Sequence, residues 1–205
     1  IWSMKIEDRN IWFCSDPHYS HRNICRGVSS WPSGNYTRDF RNLDEMNGNL
    51  VRGINNNVKE DDVLFCLGDW SFGGSDQIHK FRNQINCKEI HLILGNHDHH
   101  IQNGEEYQYL FSSVNSYLEL EINRQKFVLS HYPFASWNGL HKGWIHLFGH
   151  CHLTPKYKIR EGRSMDVGFD GNPNFQPYGF TEVIDILGKR PISSITIPKE
   201  VDHHL

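Results

Sequence analysis

The sequence predicts an α/β protein, with a mixed β-sheet built from strand-helix-strand units and a second sheet entered through hairpins. Three observations carry this. Short apolar runs break off into glycine and polar residues, as Ile90-His91-Leu92-Ile93-Leu94 does into Gly95-Asn96-His97-Asp98, which is the pattern of a buried strand ending at the rim of a sheet. Segments of helical periodicity lie between the first of these runs. Beyond Ser116 the texture changes to alternation of apolar and polar residues, the period of a half-buried strand.

Taken in order, Ile1-Trp2-Ser3 precedes Met4, and Met4 reads as a natural start, so the three residues are taken as an added leader outside the fold. Ile11-Trp12-Phe13-Cys14 is the first clear strand and runs into Ser15-Asp16-Pro17-His18. Trp31-Pro32-Ser33-Gly34-Asn35 reads as a loop. From Thr37 to Asn55, Phe40, Leu43, Met46, Leu50, Val51 and Ile54 follow helical spacing, with Thr37 or Asp39 near the start. That helix is expected to cover a sheet face. Val63 to Leu67 is a strand ending in Gly68-Asp69. Ser75 to Asn86 repeats the helical pattern through Ile78, Phe81 and Ile85, with Ser75 as its expected N-cap. Tyr117 to Ile122 alternates, Asn123-Arg124-Gln125 turns, and Lys126 to Leu129 returns as a hairpin into Ser130-His131. Ile145 to Phe148 runs into Gly149-His150-Cys151-His152. Further strands are expected at Ser164 to Phe169, Phe180 to Ile186 and Ser193 to Ile197, and Asp202-His203-His204 is read as a frayed tail.

A chain of 205 residues with 38% hydrophobic and 22% charged residues has ordinary globular usage and suits one domain. A net charge of -3 provides no global cationic field for capturing nucleic acid. The sequence has neither an apolar run of bilayer length nor a signal-peptide pattern. A cytoplasmic protein without a membrane or protein partner is expected. The five cysteines are odd in number and show no Cys-x-x-Cys spacing, which points to reduced thiols. Cys151 is expected to pack, because in an extended segment it would point away from His150 and His152.

Five strand-like runs thus end in Asp, His or Asn. Turn chemistry explains Asp and Asn, but histidine has no special backbone reason to be there, so the endings read as one convergent site. Oxygen and imidazole donors together suit manganese, iron, cobalt, nickel or zinc better than the oxygen shells of calcium or magnesium. Six or seven such ligands exceed one tetrahedral site, and two cations about 3.5–4 Å apart need an anionic bridge. No P-loop or nucleophile elbow is present, which leaves a metal-activated water as the expected nucleophile.

Asp16-x-His18, Gly68-Asp69, Gly95-Asn96-His97-Asp98, His131 and Gly149-His150-x-His152, in that order, resemble the complete signature of the calcineurin-like metallophosphoesterases. The stretch from Asp16 to Ile24 further resembles a small bacterial and phage branch of that superfamily. The resemblance implies a four-layer α/β/β/α sandwich of two mixed β-sheets flanked by helices, with residues 1–205 forming a single metallophosphoesterase domain. It implies two divalent metal ions, manganese first, with iron, nickel, cobalt or zinc as alternatives. One ion would take Asp16, His18, Asp69 and His152, and the other Asp69, Asn96, His131 and His150, with Asp69 as the bridge. It gives His97 the task of protonating the leaving oxygen, with Asp98 holding the imidazole in its charged form.

Asn96 is a candidate substrate contact, and His21, Arg22 and Arg26 either touch phosphate or belong to a solvated loop. Tyr19, Trp70 and Phe72 either stack on a nucleobase or pack beside the rim. His99 and His100 receive no role. The expected activity is hydrolysis of a phosphomonoester or phosphodiester by a metal-bridging hydroxide, on a small phosphoester, a nucleotide or a short nucleic-acid end. A nuclease or 3′-end phosphatase on the same centre is the alternative, and a non-catalytic binding module comes last.

Overall fold

The computed structural model describes residues 4–32 and 37–192. Among them the chain runs through β1 (Met4–Ile6), β2 (Ile11–Cys14), α1 (Leu43–Asn57), β3 (Val63–Cys66), α2 (Ser75–Arg82), β4 (Glu89–Ile93), α3 (His99–Asn103), α4 (Glu105–Gln108), β5 (Ser113–Asn115), β6 (Tyr117–Ile122), β7 (Gln125–Ser130), β8 (Ile145–Phe148), β9 (Ser164–Asp166), β10 (Tyr178–Gly179) and α5 (Phe180–Leu187). One sheet has the order β10-β2-β3-β4-β5 and is parallel except at β10. The other has the order β1-β6-β7-β8-β9 and is parallel except at the β6–β7 hairpin. Both sheets are mixed and helices flank them, as expected.

Alternate residues of the central strands serve opposite faces, which is why these runs are apolar throughout. Phe13 and Phe65 point between the sheets and meet Phe127 of the other sheet, with the Phe13 and Phe127 ring centroids 5.5 Å apart. Cys14, Leu64 and Cys66 point the other way, onto Leu50 and Ile54 of α1 and Ile78 and Phe81 of α2. The outer face of the second sheet is covered at Val128 by Trp137, Leu140 and Trp144. All five cysteines are free thiols. No helix among the described residues is long and apolar enough to cross a membrane.

Several local expectations are corrected. α1 begins at Leu43, not near Thr37, because Asn42 supplies the cap by accepting the Glu45 N–H at 2.9 Å. Ser75 is the first residue of α2 and makes no capping bond; Gly74 precedes it. Phe180 to Ile186, expected as a strand, is the helix α5. Its Phe180, Val183, Ile184 and Leu187 follow helical spacing and turn toward the inter-sheet core, so the β-branched composition misled where the period did not. The Asn123-Arg124 turn is as expected, both residues having positive φ. The strand expected at Ser193 to Ile197 and the C-terminal tail lie outside the described residues.

Candidate metal centre

Parallel pairing sets the geometry of the site. Cys14 aligns with Cys66, and Cys66 with Leu92, so β2, β3 and β4 end side by side and release Asp16, Asp69 and Asn96 at one edge. β7 and β8 are parallel as well and release His131 and His150. The five endings therefore meet where the carboxyl ends of both sheets converge, the usual place for ligands in α/β folds.

Asp16, Asp69, His18 and His131 are buried. His18 Nε2 and His152 Nε2 face each other at 3.1 Å, and each is 3.8 Å from Asp16 Oδ1. Asp69 Oδ2 lies 3.4 Å from His18 Nε2 and 3.5 Å from His131 Nε2. His131 Nε2 and His150 Nδ1 approach Asn96 Oδ1 at 3.0 and 2.9 Å. Asp16, His18 and His152 form one group whose donor atoms lie within 4.8 Å of one another, and Asp16, Asp69 and His131 form a second.

The donor set fits cations. His152 Nδ1 lies 2.7 Å from Asp170 Oδ2 and His131 Nδ1 lies 2.7 Å from the Leu67 carbonyl. Each ring therefore donates through Nδ1 and turns an Nε2 lone pair to the site. The His152 Nε2 meets His18 Nε2, where either ring can supply the proton according to its tautomer, and the His131 Nε2 lone pair meets the Asn96 carbonyl oxygen. In the His131–Asn96 pair acceptor faces acceptor at 3.0 Å, which is repulsive unless something positive lies between them. His18 Nδ1 is buried without a partner, and burial, then His152, holds the His18 pKa well below the usual imidazole range, in the neutral ligand form. Burial raises the Asp16 pKa from its ordinary value, which also marks a site short of positive charge.

Two residues complete this shell and were not identified from the sequence. Arg38 is buried, donates to both Asp170 oxygens at 2.9 Å, and donates to the Asp16 and Pro17 carbonyls at 2.6 and 2.8 Å. Burial alone would raise the Asp170 pKa, but Arg38 and His152 overcome it and hold this carboxyl well below the usual range. The run Met165 to Phe169 ends in Asp170-Gly171, the same form as the other endings, so Asp170 was open to recognition. Arg38, in a loop, carried no such signal.

Other expectations change. Asp98 does not sit against the His97 imidazole: its oxygens accept the backbone N–H groups of Asp69, Trp70 and Gly95 at 2.8, 2.9 and 2.8 Å. Burial pushes its pKa up to about 6. It therefore ties the loop after β3 to the loop after β4. His97 stands at the mouth of the site, its ring 5.5 Å from that of His18, and its backbone N–H donates to Asp69 Oδ1 at 2.9 Å. His150 and His152 both have positive φ, so their segment is not extended. Both rings still reach the centre, but Cys151 is exposed where packing was expected.

A cavity of about 410 Å³ opens over these residues and is lined further by His21, Trp31 and Phe72. Arg22 is exposed and does not line it. Arg26 pairs instead with Asp39. Tyr19 and Trp70 are fully buried against Phe81 and cannot stack on a base. A larger cavity of about 630 Å³ shares no residue with the site and gathers no carboxylate-imidazole cluster.

A family model described as calcineurin-like phosphoesterase matches residues 9–187. The uncharacterized protein MJ1445 of Methanocaldococcus jannaschii is 32% identical over 192 residues, covering 88% of this chain and 93% of that protein. The gene 66 protein of Mycobacterium phage D29 is 27% identical over 188 residues, covering 78% and 88% respectively. Among solved structures, the protein of unknown function AQ665 from Aquifex aeolicus superposes with a TM-score of 0.63 at 18% identity, covering 88% of this chain and 100% of that one, which is a likeness of fold. With its two mixed sheets and the carboxylate-imidazole cluster at their shared edge, the chain belongs to the calcineurin-like phosphoesterase family.

Proposed function

We propose that this chain hydrolyses phosphoesters on a dinuclear metal centre. The single observation that carries the reading is the meeting, at one edge, of Asp16, His18, Asp69, Asn96, His131, His150 and His152, with the His131 lone pair turned on the Asn96 carbonyl oxygen. Asp16, His18, Asp69 and His152 would hold one ion and Asp69, Asn96, His131 and His150 the other. The Asp69 oxygen that lies between one imidazole of each set supports its bridging role. Manganese is the leading metal. When bound, the ions supply Lewis acidity toward phosphoryl oxygens and lower the pKa of a water.

The protein's own residues do the rest. Asp170, anchored by Arg38, fixes the tautomer and direction of His152, and the Leu67 carbonyl does the same for His131. Asp98 holds the Asn96-His97 loop over the centre through its three backbone bonds. His97 at the mouth donates a proton to the leaving alkoxide as its bond to phosphorus breaks and the water oxygen takes its place. The cavity accommodates a small phosphoester or nucleotide.

The test is a metal-by-substrate screen of aryl phosphate, aryl phosphodiester and nucleotides against manganese, nickel, zinc and magnesium, run with wild type and Asp69→Asn. The substitution removes charge but hardly changes shape. It is expected to abolish hydrolysis and lower the occupancy of both metals, with the circular dichroism spectrum unchanged. Elemental analysis showing wild-type occupancy of both metals would overturn the bridge assignment.

A further inference from the structure

Phe72 and Trp31 are large apolar residues left 39% and 43% exposed, and both line the cavity that contains His18, Asn96, His97 and His150. Exposed aromatics scattered over a surface need no explanation, but these two stand at the mouth of a polar site. Both lean on one ring: His21 lies 4.1 Å from Phe72 and 5.9 Å from Trp31, centroid to centroid. Among the described residues neither is stacked face to face on another ring; His97 meets Phe72 only edge-on, at 5.3 Å. Each therefore presents ring surface to the cavity.

We propose that Trp31 and Phe72 form a stacking slot for a planar aromatic group on the alcohol half of the substrate, making nucleoside phosphoesters the preferred class. The slot lies beside His97, so a base held there belongs to the leaving group that His97 would protonate. This rests on the phosphoesterase reading given above. His21 is a positioning residue: its Nδ1 accepts the Ile24 N–H at 3.4 Å and its ring supports Phe72. The slot specifies a flat ring without reading hydrogen bonds, so purine and pyrimidine are both accepted.

AMP and ribose 5-phosphate share sugar and phosphate and differ only in the base, so the ratio of their kcat/KM values isolates the slot. Trp31→Ala and Phe72→Ala are each expected to lower that ratio by about 5- to 150-fold, the range of one base-aromatic stack, with ribose 5-phosphate unaffected. Trp31→Phe should restore most of it, and Tyr109→Ala, at an exposed aromatic that does not line the cavity, should leave it unchanged. A second readout needs no turnover: saturation-transfer NMR of AMP with the chelated protein should show strongest transfer to the base protons, weakened in both alanine variants. An unchanged ratio, equal losses on the two substrates, or transfer mainly to the sugar would overturn the slot. If neither compound is hydrolysed under any metal, only monoester hydrolysis fails: the aryl phosphodiester arm of the screen above decides the phosphoesterase reading, and the NMR result decides the slot.

Discussion

Five of the seven residues assigned to the metals, Asp16, His18, Asp69, His150 and His152, have φ between 48° and 68°. That left-handed region costs a residue with a side chain roughly 1–3 kcal/mol, and it persists only where neighbours over-determine it. Here they do: the His150 N–H is held by Asp16, and the Asp69 N–H by Asp98. The turn at each strand end is thus bent by the same residues that supply the donors. Removing a supporting partner should loosen a ligand without deleting it. Asp170→Asn keeps the shape beside His152 but removes the charge that orients its ring, and metal affinity should fall about 10- to 100-fold. Titration of the apo variant against a chelator measures it, and unchanged affinity would show that Asp170 serves only Arg38. His97→Ala is expected to keep both metals and to lose about 10²–10⁴-fold on esters with basic alkoxide leaving groups. The loss should shrink with p-nitrophenyl esters, which depart without a proton. Equal losses on the two would mean that His97 binds phosphate instead.

At the scale of elements, the site depends on how closely the end of β8 approaches the end of β2. Gly149 lies in that seam: a Cβ there would collide with Ser15 Oγ and come within 2.5 Å of Asp16 Oδ2. Ser15 cannot retreat easily, since its hydroxyl donates to the Leu67 carbonyl at 2.9 Å. Gly149→Ala should therefore destabilise the fold by about 1–3 kcal/mol and weaken metal binding at the same time, because it pushes His150 away from Asp16. Urea unfolding together with metal titration tests the coupling; a variant that lost stability but bound metal normally would show that the seam relaxes elsewhere. Glycine is needed here for close approach, whereas at Gly68, with φ 99°, it is also needed for backbone conformation.

For the whole molecule, His146 of β8 gives a pH dependence that does not involve the metal residues. Its Nδ1–H donates to the Val128 carbonyl and its Nε2 accepts the Phe134 N–H, both at 3.1 Å, so the neutral ring pins the loop that covers the second sheet. Burial pushes its pKa down from 6.5 to about 4. The folded state therefore resists a proton that the unfolded chain accepts, and this contribution is complete above about pH 6.5 and is lost as pH falls toward 4. The loss amounts to about 3 kcal/mol at 1.36 kcal/mol per pH unit. Urea unfolding of chelated wild type and His146→Gln between pH 7 and 4 should show wild type losing stability relative to the variant. Parallel curves would mean that the loop gives way before the ring titrates.

The strands that carry the site, their polar endings and the order of the donors were legible in the residues alone. Burial of a run and its abrupt end are local properties, visible as apolar stretches that stop at Gly68, Gly95 and Gly149. The donor types also led to the chemistry proposed above, since carboxylate, amide and imidazole together suit the binding of transition metals. What only the tertiary structure decided depends on partners distant in sequence. Arg38 finds Asp170 across 132 residues, Asp98 turns to the backbone of Asp69 and Trp70 rather than to its neighbour His97, and Phe180 to Leu187 becomes a helix because its apolar stripe has a core to meet. Local sequence states what a side chain is able to do, but the approach of a second strand or loop determines which of those partners it takes.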